Sequence, residues 1–296
     1  MNETPELFLQ KILSQKETFR YYYSENDFIY YEVFGKGPNN LLLIHGFACS
    51  HLNWYEMIPY ISGENVKIIV PDMKGFGESS KPRDESYTYQ DHSKIIFSLI
   101  QKLNLINLTL IGHSYGGGIA LMLTLNQSVQ KYLKRLILID SASFRDSLPL
   151  FVKILSIRYI NYFIMNLLTA NKQTVKVAVK RIFHNKDKVS NAILNYYRPY
   201  FYQKKSRYSY IKTVKYIIPD EYDHIISEYQ KIPFPTLIIW GESDPVIPLD
   251  FGIRLHKLIN GSQLKIIEKC GHVPMEEFPV ETASLINTFI QNETKN

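Results

Sequence analysis

A serine with glycines two residues before and two after it, Gly112-His113-Ser114-Tyr115-Gly116, has the spacing of a nucleophile carried on a sharp strand-to-helix turn. The apex of such a turn sits in strained backbone geometry, so the flanking positions need small residues to avoid clashes. Leu110 and Ile111 run into the motif as a strand would, and Ile119-Ala120-Leu121-Met122-Leu123 continues it with helical character. This setting separates it from a glycine-rich turn with an incidental serine. A serine hydroxyl is a poor nucleophile unless a neighbouring base removes its proton, and that base must be oriented by a third group.

In an open parallel sheet, catalytic groups gather outside the carboxyl ends of the strands, which is where the partners should be sought. Trp240-Gly241-Glu242-Ser243-Asp244-Pro245 closes one later strand with acids in the loop, and Lys269-Cys270-Gly271-His272 closes the next. With the serine first, the acid second and the histidine last, Asp244 is expected to orient the base and His272 to be that base. Glu242, two residues nearer its strand, and Asp140, at the end of an earlier one, stand as alternatives for the acid. For His272 the alternative is a loop histidine satisfied by its surroundings. His51, His92, His184, His224 and His256 fall elsewhere, in expected helices or the long segment described below, and His113 is expected to point away from the serine. An oxyanion formed on attack needs preorganised donors. The backbone N–H of Tyr115 is one expectation, and that of Phe47, in His45-Gly46-Phe47-Ala48, is the other. His45 is expected to tie this loop down by hydrogen bonding rather than take part in chemistry.

Short apolar runs supply the strands that would position these loops: 41–44, 67–70, 108–111, 136–139, 236–240 and 264–267. Near-continuous apolar strands alternating with helical patterns imply a parallel sheet covered on both faces. Residues 19–23 and 28–34 flank a Ser-Glu-Asn-Asp turn and read as an antiparallel hairpin at one edge. Helices are expected over 54–61, 89–103, 115–125, 249–259 and 277–290. The fold class is therefore α/β, a mostly parallel sheet with helices on both faces. From 144 to 232 the rhythm breaks, helical spacing and aromatic residues replace strands, and Pro233 and Pro235 lead back into extended chain. The expected organisation is a core of residues 1–143 and 233–296 with a helical cap inserted at 144–232.

Taken together, His45-Gly46-Phe47, Asp72-Met73-Lys74-Gly75-Phe76-Gly77-Glu78-Ser79, Gly112-His113-Ser114-Tyr115-Gly116-Gly117, Gly241-Glu242-Ser243-Asp244 and Gly271-His272 resemble the α/β-hydrolase superfamily. More narrowly they resemble its capped branch of esterases, carbon–carbon bond hydrolases, cofactor-free haloperoxidases, epoxide hydrolases and haloalkane dehalogenases. The resemblance runs in order from about Phe19 to Ile290, excluding the cap. It implies the α/β-hydrolase fold and a serine hydrolase with no cofactor and no metal. The dehalogenases and epoxide hydrolases of the branch carry aspartate where this chain has Ser114. A serine forms an acyl ester by attacking a carbonyl, which directs the expectation to an ester, thioester, amide or activated ketone.

Bulk properties fit such an enzyme. At 296 residues, 45% hydrophobic and 21% charged, the chain can bury a large core without disulfides or metals. Cys49 and Cys270 read as reduced thiols, the N-terminal residues lack the basic and apolar pattern of a secretion signal, and no apolar run reaches membrane-spanning length. A cytoplasmic location is expected. The net charge of +6 is concentrated between residues 144 and 232, where sixteen Lys and Arg face six Asp and Glu, leaving −4 for the rest. This excess reads first as a solvated face and second as a weak contact with an anionic membrane or an acidic substrate. No nucleic-acid recognition motif accompanies it, and no obligate protein partner is evident. Within the cap, the apolar stretch 148–168 reads first as packing onto the core and second as the wall of an apolar pocket. The leading functional expectation is cleavage of a small-molecule carboxylic ester bearing an apolar group. A carbon–carbon bond hydrolase or an acylglycerol lipase is the rival within the class, and a ligand-binding protein on the same fold is the rival outside it.

Overall fold

The computed structural model describes residues 14–61, 65–147, 172–217 and 222–292. All eight expected strand segments are strands: β1 (Glu17–Tyr22), β2 (Phe28–Phe34), β3 (Asn39–Ile44), β4 (Val66–Pro71), β5 (Leu108–His113), β6 (Leu133–Ile139), β7 (Thr236–Gly241) and β8 (Gln263–Ile267). They form one sheet in the order β1-β2-β4-β3-β5-β6-β7-β8. β1 pairs with β2, and β2 with β4, antiparallel; every pairing from β4 to β8 is parallel. Side chains alternate across a strand, so a strand buried on both faces feeds two cores. Leu42, Ile44, Leu110, Leu136, Leu138 and Ile238 face one layer. Leu41, Leu43, Ile111, Ile137, Ile139 and Ile239 face the other.

Helices α1 (Tyr89–Lys102), α2 (Tyr115–Leu125), α7 (Leu249–Leu258) and α8 (Pro279–Asn292) cover the sheet. Between β6 and β7, where the cap is expected, the described residues form α3 (Lys172–Ile182), α4 (Asn191–Phe201), α5 (Lys204–Lys215) and α6 (Tyr222–Glu228). The apolar stretch expected to wall a pocket, 148–168, lies outside the described residues. One expectation needs correction. No α-helix spans 54–61; the segment holds two short 3-10 turns, His51–Trp54 and Ile58–Tyr60. Pro59 has no N–H to bond four residues back, which prevents a regular helix from running through it. Pro279 likewise separates α8 from the single turn Pro274–Glu277, so the break falls within the start of the helix expected over 277–290: one turn ends at Glu277 and the long helix starts at Pro279.

The strand order sets the position of the loops. The chain steps from β3 to β4 on one side and then crosses back to β5 on the other, so β3 and β5 lie side by side with connections departing in opposite directions. Loops diverge at that point and leave a crevice at the carboxyl ends of the strands.

Candidate active site

Ser114 follows β5 at this crevice. It has φ +50° and ψ −117°, a conformation that a side chain rarely adopts. The surrounding backbone enforces it: Ser114 N–H donates to the Ile139 carbonyl at 3.0 Å, while Gly117 and Ala142 N–H groups both donate to the Ser114 carbonyl at 2.9 Å. The turn is tight enough that a Cβ on Gly112 would lie 2.5 Å from the Gly116 carbonyl oxygen, and one on Gly116 would lie 2.2 Å from that of Ile44. Both flanking glycines are thus required by close approach of backbone. Among residues 108–121, Ser114 alone is not buried. Ala48, Asp140 and Lys269 are also non-glycine residues at positive φ, and each lies in a loop beside the crevice. Strain of this kind concentrates where a fold holds reactive groups in place.

His272 and Asp244 arrive from the loops after β8 and β7. His272 Nε2 lies 3.0 Å from Ser114 Oγ, and Nδ1 lies 2.7 Å from Asp244 Oδ2. A carboxylate accepts, so Nδ1 carries the proton and Nε2 is left to receive one from the serine. Asp244 is itself held: its Oδ1 accepts the Val246 and Ile247 N–H groups at 2.7 and 3.0 Å. Of the alternative acids, Glu242 turns aside and accepts the Lys269 N–H at 3.0 Å. Asp140 lies close to the pair, and its Oδ1 accepts the Gly241 N–H at 2.9 Å. Asp140, Asp244 and His272 are the one group of His, Cys, Asp and Glu side chains among the described residues whose ligand-type atoms all lie within 4.8 Å of one another. Their pairing, with a ring N–H directed at a carboxylate, is that of an acid–base relay.

The loop after β3 borders Ser114. A Cβ on Gly46 would lie 3.2 Å from the Cβ of Ser114, which brings Phe47 beside the serine. Tyr115 begins α2, where the first N–H groups have no partner within the helix. His45 holds the loop through both ring nitrogens: Nδ1–H donates to the Gly46 carbonyl at 2.8 Å, and Nε2 accepts the Met73 N–H at 3.1 Å. Burial pulls the His45 imidazole down to about 4, so it is neutral and suited to that double role. Cys49 and Cys270 are buried free thiols, and burial raises both above the usual thiol range.

Several supporting residues carry no sequence signal. His113 Nε2–H donates to the His272 carbonyl at 2.8 Å, bracing the His272 loop from behind the turn that carries Ser114. Burial holds the His113 imidazole well below its ordinary range, which keeps it a neutral donor. The segment between β6 and β7 reaches the same loop: His272 N–H donates to the Ile182 carbonyl at the end of α3 at 2.7 Å. Glu277 accepts the N–H groups of Gly271, His184 and Asn185, joining the His272 loop to the residues that follow α3 by one carboxylate. On the opposite side, Tyr210 of α5 packs against Phe47 with ring centroids 5.5 Å apart. The segment between β6 and β7 therefore touches both the loop bearing His272 and the loop bearing Phe47.

Residues 39–279 match the family described as the alpha/beta hydrolase fold. The chain belongs to the α/β-hydrolase family. Among curated relatives of this hydrolase, the uncharacterized hydrolase YugF of Bacillus subtilis is 29% identical over 265 residues, covering 89% of this chain and 94% of its own. The 2-hydroxy-6-oxo-6-(2'-aminophenyl)hexa-2,4-dienoic acid hydrolase of Metapseudomonas resinovorans is 27% identical, covering 86% and 85%. Lipase 1 of Psychrobacter immobilis is 28% identical, covering 90% and 81%. The crystal structure of bromoperoxidase from Bacillus anthracis superposes with a TM-score of 0.78 at 22% identity, covering 93% of this hydrolase and 100% of that chain. No described helix is long and apolar enough to cross a membrane.

Proposed function

We propose that this hydrolase cleaves carboxylic esters through an acyl-enzyme, with Ser114 as nucleophile, His272 as general base and acid, and Asp244 as the orienting acid. The observation that carries this reading is the continuous series Ser114 Oγ to His272 Nε2 at 3.0 Å and His272 Nδ1 to Asp244 Oδ2 at 2.7 Å. Ser114 Oγ attacks the carbonyl carbon while its proton passes to His272 Nε2. The imidazolium so formed faces Asp244, and the oxyanion meets the backbone N–H groups of Tyr115 and Phe47. Collapse of the tetrahedral intermediate expels the alkoxide, which takes the proton from Nε2. Water, deprotonated by the same nitrogen, then attacks the acyl ester and releases the carboxylic acid.

The similarity to Lipase 1 supports an ester with an apolar acyl group. The similarity to the dienoic acid hydrolase supports a second reading, carbon–carbon cleavage by the same three residues. The test is labelling with a fluorophosphonate, followed by turnover of nitrophenyl esters of increasing chain length and of a 2-hydroxy-6-oxo-dienoate. Stoichiometric labelling of the native chain and none of Ser114→Ala is expected, with ester turnover the faster. Labelling that persists in Ser114→Ala would remove the nucleophile assignment, and faster dienoate turnover would favour the second reading.

The charge of the cap bears on where such an enzyme meets its substrate. Residues 172–217 contain twelve Lys and Arg and a single acid, Asp187. Lys212 and Lys215 are paired with Glu85 of the core, whereas Lys176, Arg181, Lys186, Lys204 and Lys205 are exposed. Each basic residue near an anionic bilayer contributes about 1 kcal/mol within a Debye length. In our reading the cap makes a weak, salt-sensitive contact with anionic membranes. Co-sedimentation with phosphatidylglycerol-containing vesicles but not with pure phosphatidylcholine is expected, weakening as salt rises. Equal binding to both, or no effect of neutralising Lys176, Lys180 and Arg181 together, would argue against it.

A further inference from the structure

We propose that Asp140 is a positioning residue of the site, a second carboxyl that keeps its proton while Asp244 is charged and directs that proton toward Asp244. The inference rests on the serine-hydrolase reading above. Asp140 ends β6 at φ +44° and is wholly buried. One carboxylate oxygen of Asp140, one of Asp244 and a ring nitrogen of His272 lie mutually within 4.8 Å. Two buried carboxyls this close do not both ionise, because each charge opposes the other with little water to screen it.

The hydrogen bonds identify which of the two holds the charge. Asp244 accepts three N–H donors, from Val246, Ile247 and the His272 ring. Asp140 accepts one, from Gly241, and its Oδ2 has no hydrogen-bond partner. Three donors stabilise an anion; one donor and an unpaired buried oxygen suit a neutral carboxyl whose O–H sits on Oδ2. The remaining titratable neighbours agree. Glu277 adds negative charge, and the Cys270 thiol is kept protonated by its own burial. Burial, followed by the charge of Asp244, holds the Asp140 carboxyl well above the usual carboxylate range.

The arrangement has a consequence for the relay. With Asp244 anionic, the Asp140 O–H adds a donor that holds the carboxylate opposite the ring. When Asp244 is made neutral, the repulsion is gone while the burial remains, so Asp140 becomes easier to ionise and faces the imidazolium as the anion, its proton passing to solvent, only as that positive charge forms beside it.

The test is a double-mutant cycle on kcat/KM with Asp140→Asn, Asp244→Asn and both, each first shown to unfold cooperatively. Asp140→Asn alone is expected to cost about two- to fivefold, and about fiftyfold or more in the Asp244→Asn background. Equal factors in the two backgrounds overturn the proposal, since a purely structural side chain would act alike in both. Difference infrared spectroscopy at neutral pH supplies a readout independent of turnover. Glu276, a second carboxyl raised by burial, contributes a band of its own, so the native protein should show a protonated-carboxyl band that Glu276→Gln leaves in place and that shifts in Asp244→Asn, which also serves if Asp140→Asn does not fold. Absence of such a band, or a band that Asp244→Asn leaves unmoved, overturns the proposal. Failure of the native chain to react with a fluorophosphonate would instead count against the serine-hydrolase reading and leave the infrared result to be judged by itself.

Discussion

Replacing His272 by alanine is expected to lower kcat/KM on activated esters by about 10⁴- to 10⁶-fold, with fluorophosphonate labelling slowed in parallel. The size follows from the lack of any substitute for the ring. Ser114 Oγ lies 3.0 Å from His272 Nε2, the proposed base. The nearest other imidazole, His113, has its ring centroid 5.0 Å from that of His272. Its Nε2 is occupied by the His272 carbonyl, and its Nδ1 faces Gly46, where an added Cβ would lie 2.9 Å away. Burial further disfavours protonation of His113. Stability should change far less than rate, because the His272 backbone keeps its bonds to Ile182 and His113 after truncation. Steady-state kinetics beside thermal unfolding separate the two effects. A variant that keeps activity within about tenfold of native would require a different base.

The parts of this site that were readable in the sequence are those encoded locally. Strands β3 to β7 are apolar runs that stop at a glycine, proline or polar residue, and Ser114 and Asp140 immediately follow β5 and β6, while Asp244 lies three residues beyond β7. Helix α2 occupies 115–125 as its pattern predicts, because a glycine-bounded turn precedes it and Asn126 caps its end in extended conformation. Asp140 was a candidate acid for the same reason that Asp244 was, and the adjacency of β6 and β7 explains why both lie near one histidine. Periodicity could not reveal contacts that depend on tertiary packing. The bonds from His113 to His272 and from Asn53 to Glu276 span 159 and 223 residues of chain. The basic, strand-free composition of 144–232 raised the expectation of an insertion, yet nothing local indicated that α3 and α5 would reach opposite sides of Ser114.

Stability is expected to fall as pH rises from about 5 to about 8, with Glu276→Gln removing much of the slope. Glu276 belongs to the turn that follows His272 and is fully buried, against Tyr197 of α4. Its Oε1 accepts Asn53 from the core and Tyr197 from α4, while Oε2 has no partner. Burial pushes this carboxyl up from 4.5 to about 8, against the opposing effect of those two donors. Between these values the native state binds a proton that the unfolded chain has released. The native state is therefore favoured fully below about 4.5 and loses that advantage progressively until about 8, above which the loss is complete. At about 1.4 kcal/mol per unit, the change amounts to several kcal/mol across the window. Thermal unfolding at intervals across the window checks the sign as well as the size. Glutamine keeps the shape and both donors' acceptor but cannot ionise, so its midpoint should decline less than that of the native chain. Parallel declines would assign the titration to another group. Because Tyr197 lies in α4 and Glu276 four residues beyond His272, ionisation should loosen the seat of α4 at the His272 loop, so the alkaline loss of stability should be accompanied by earlier proteolysis within α4.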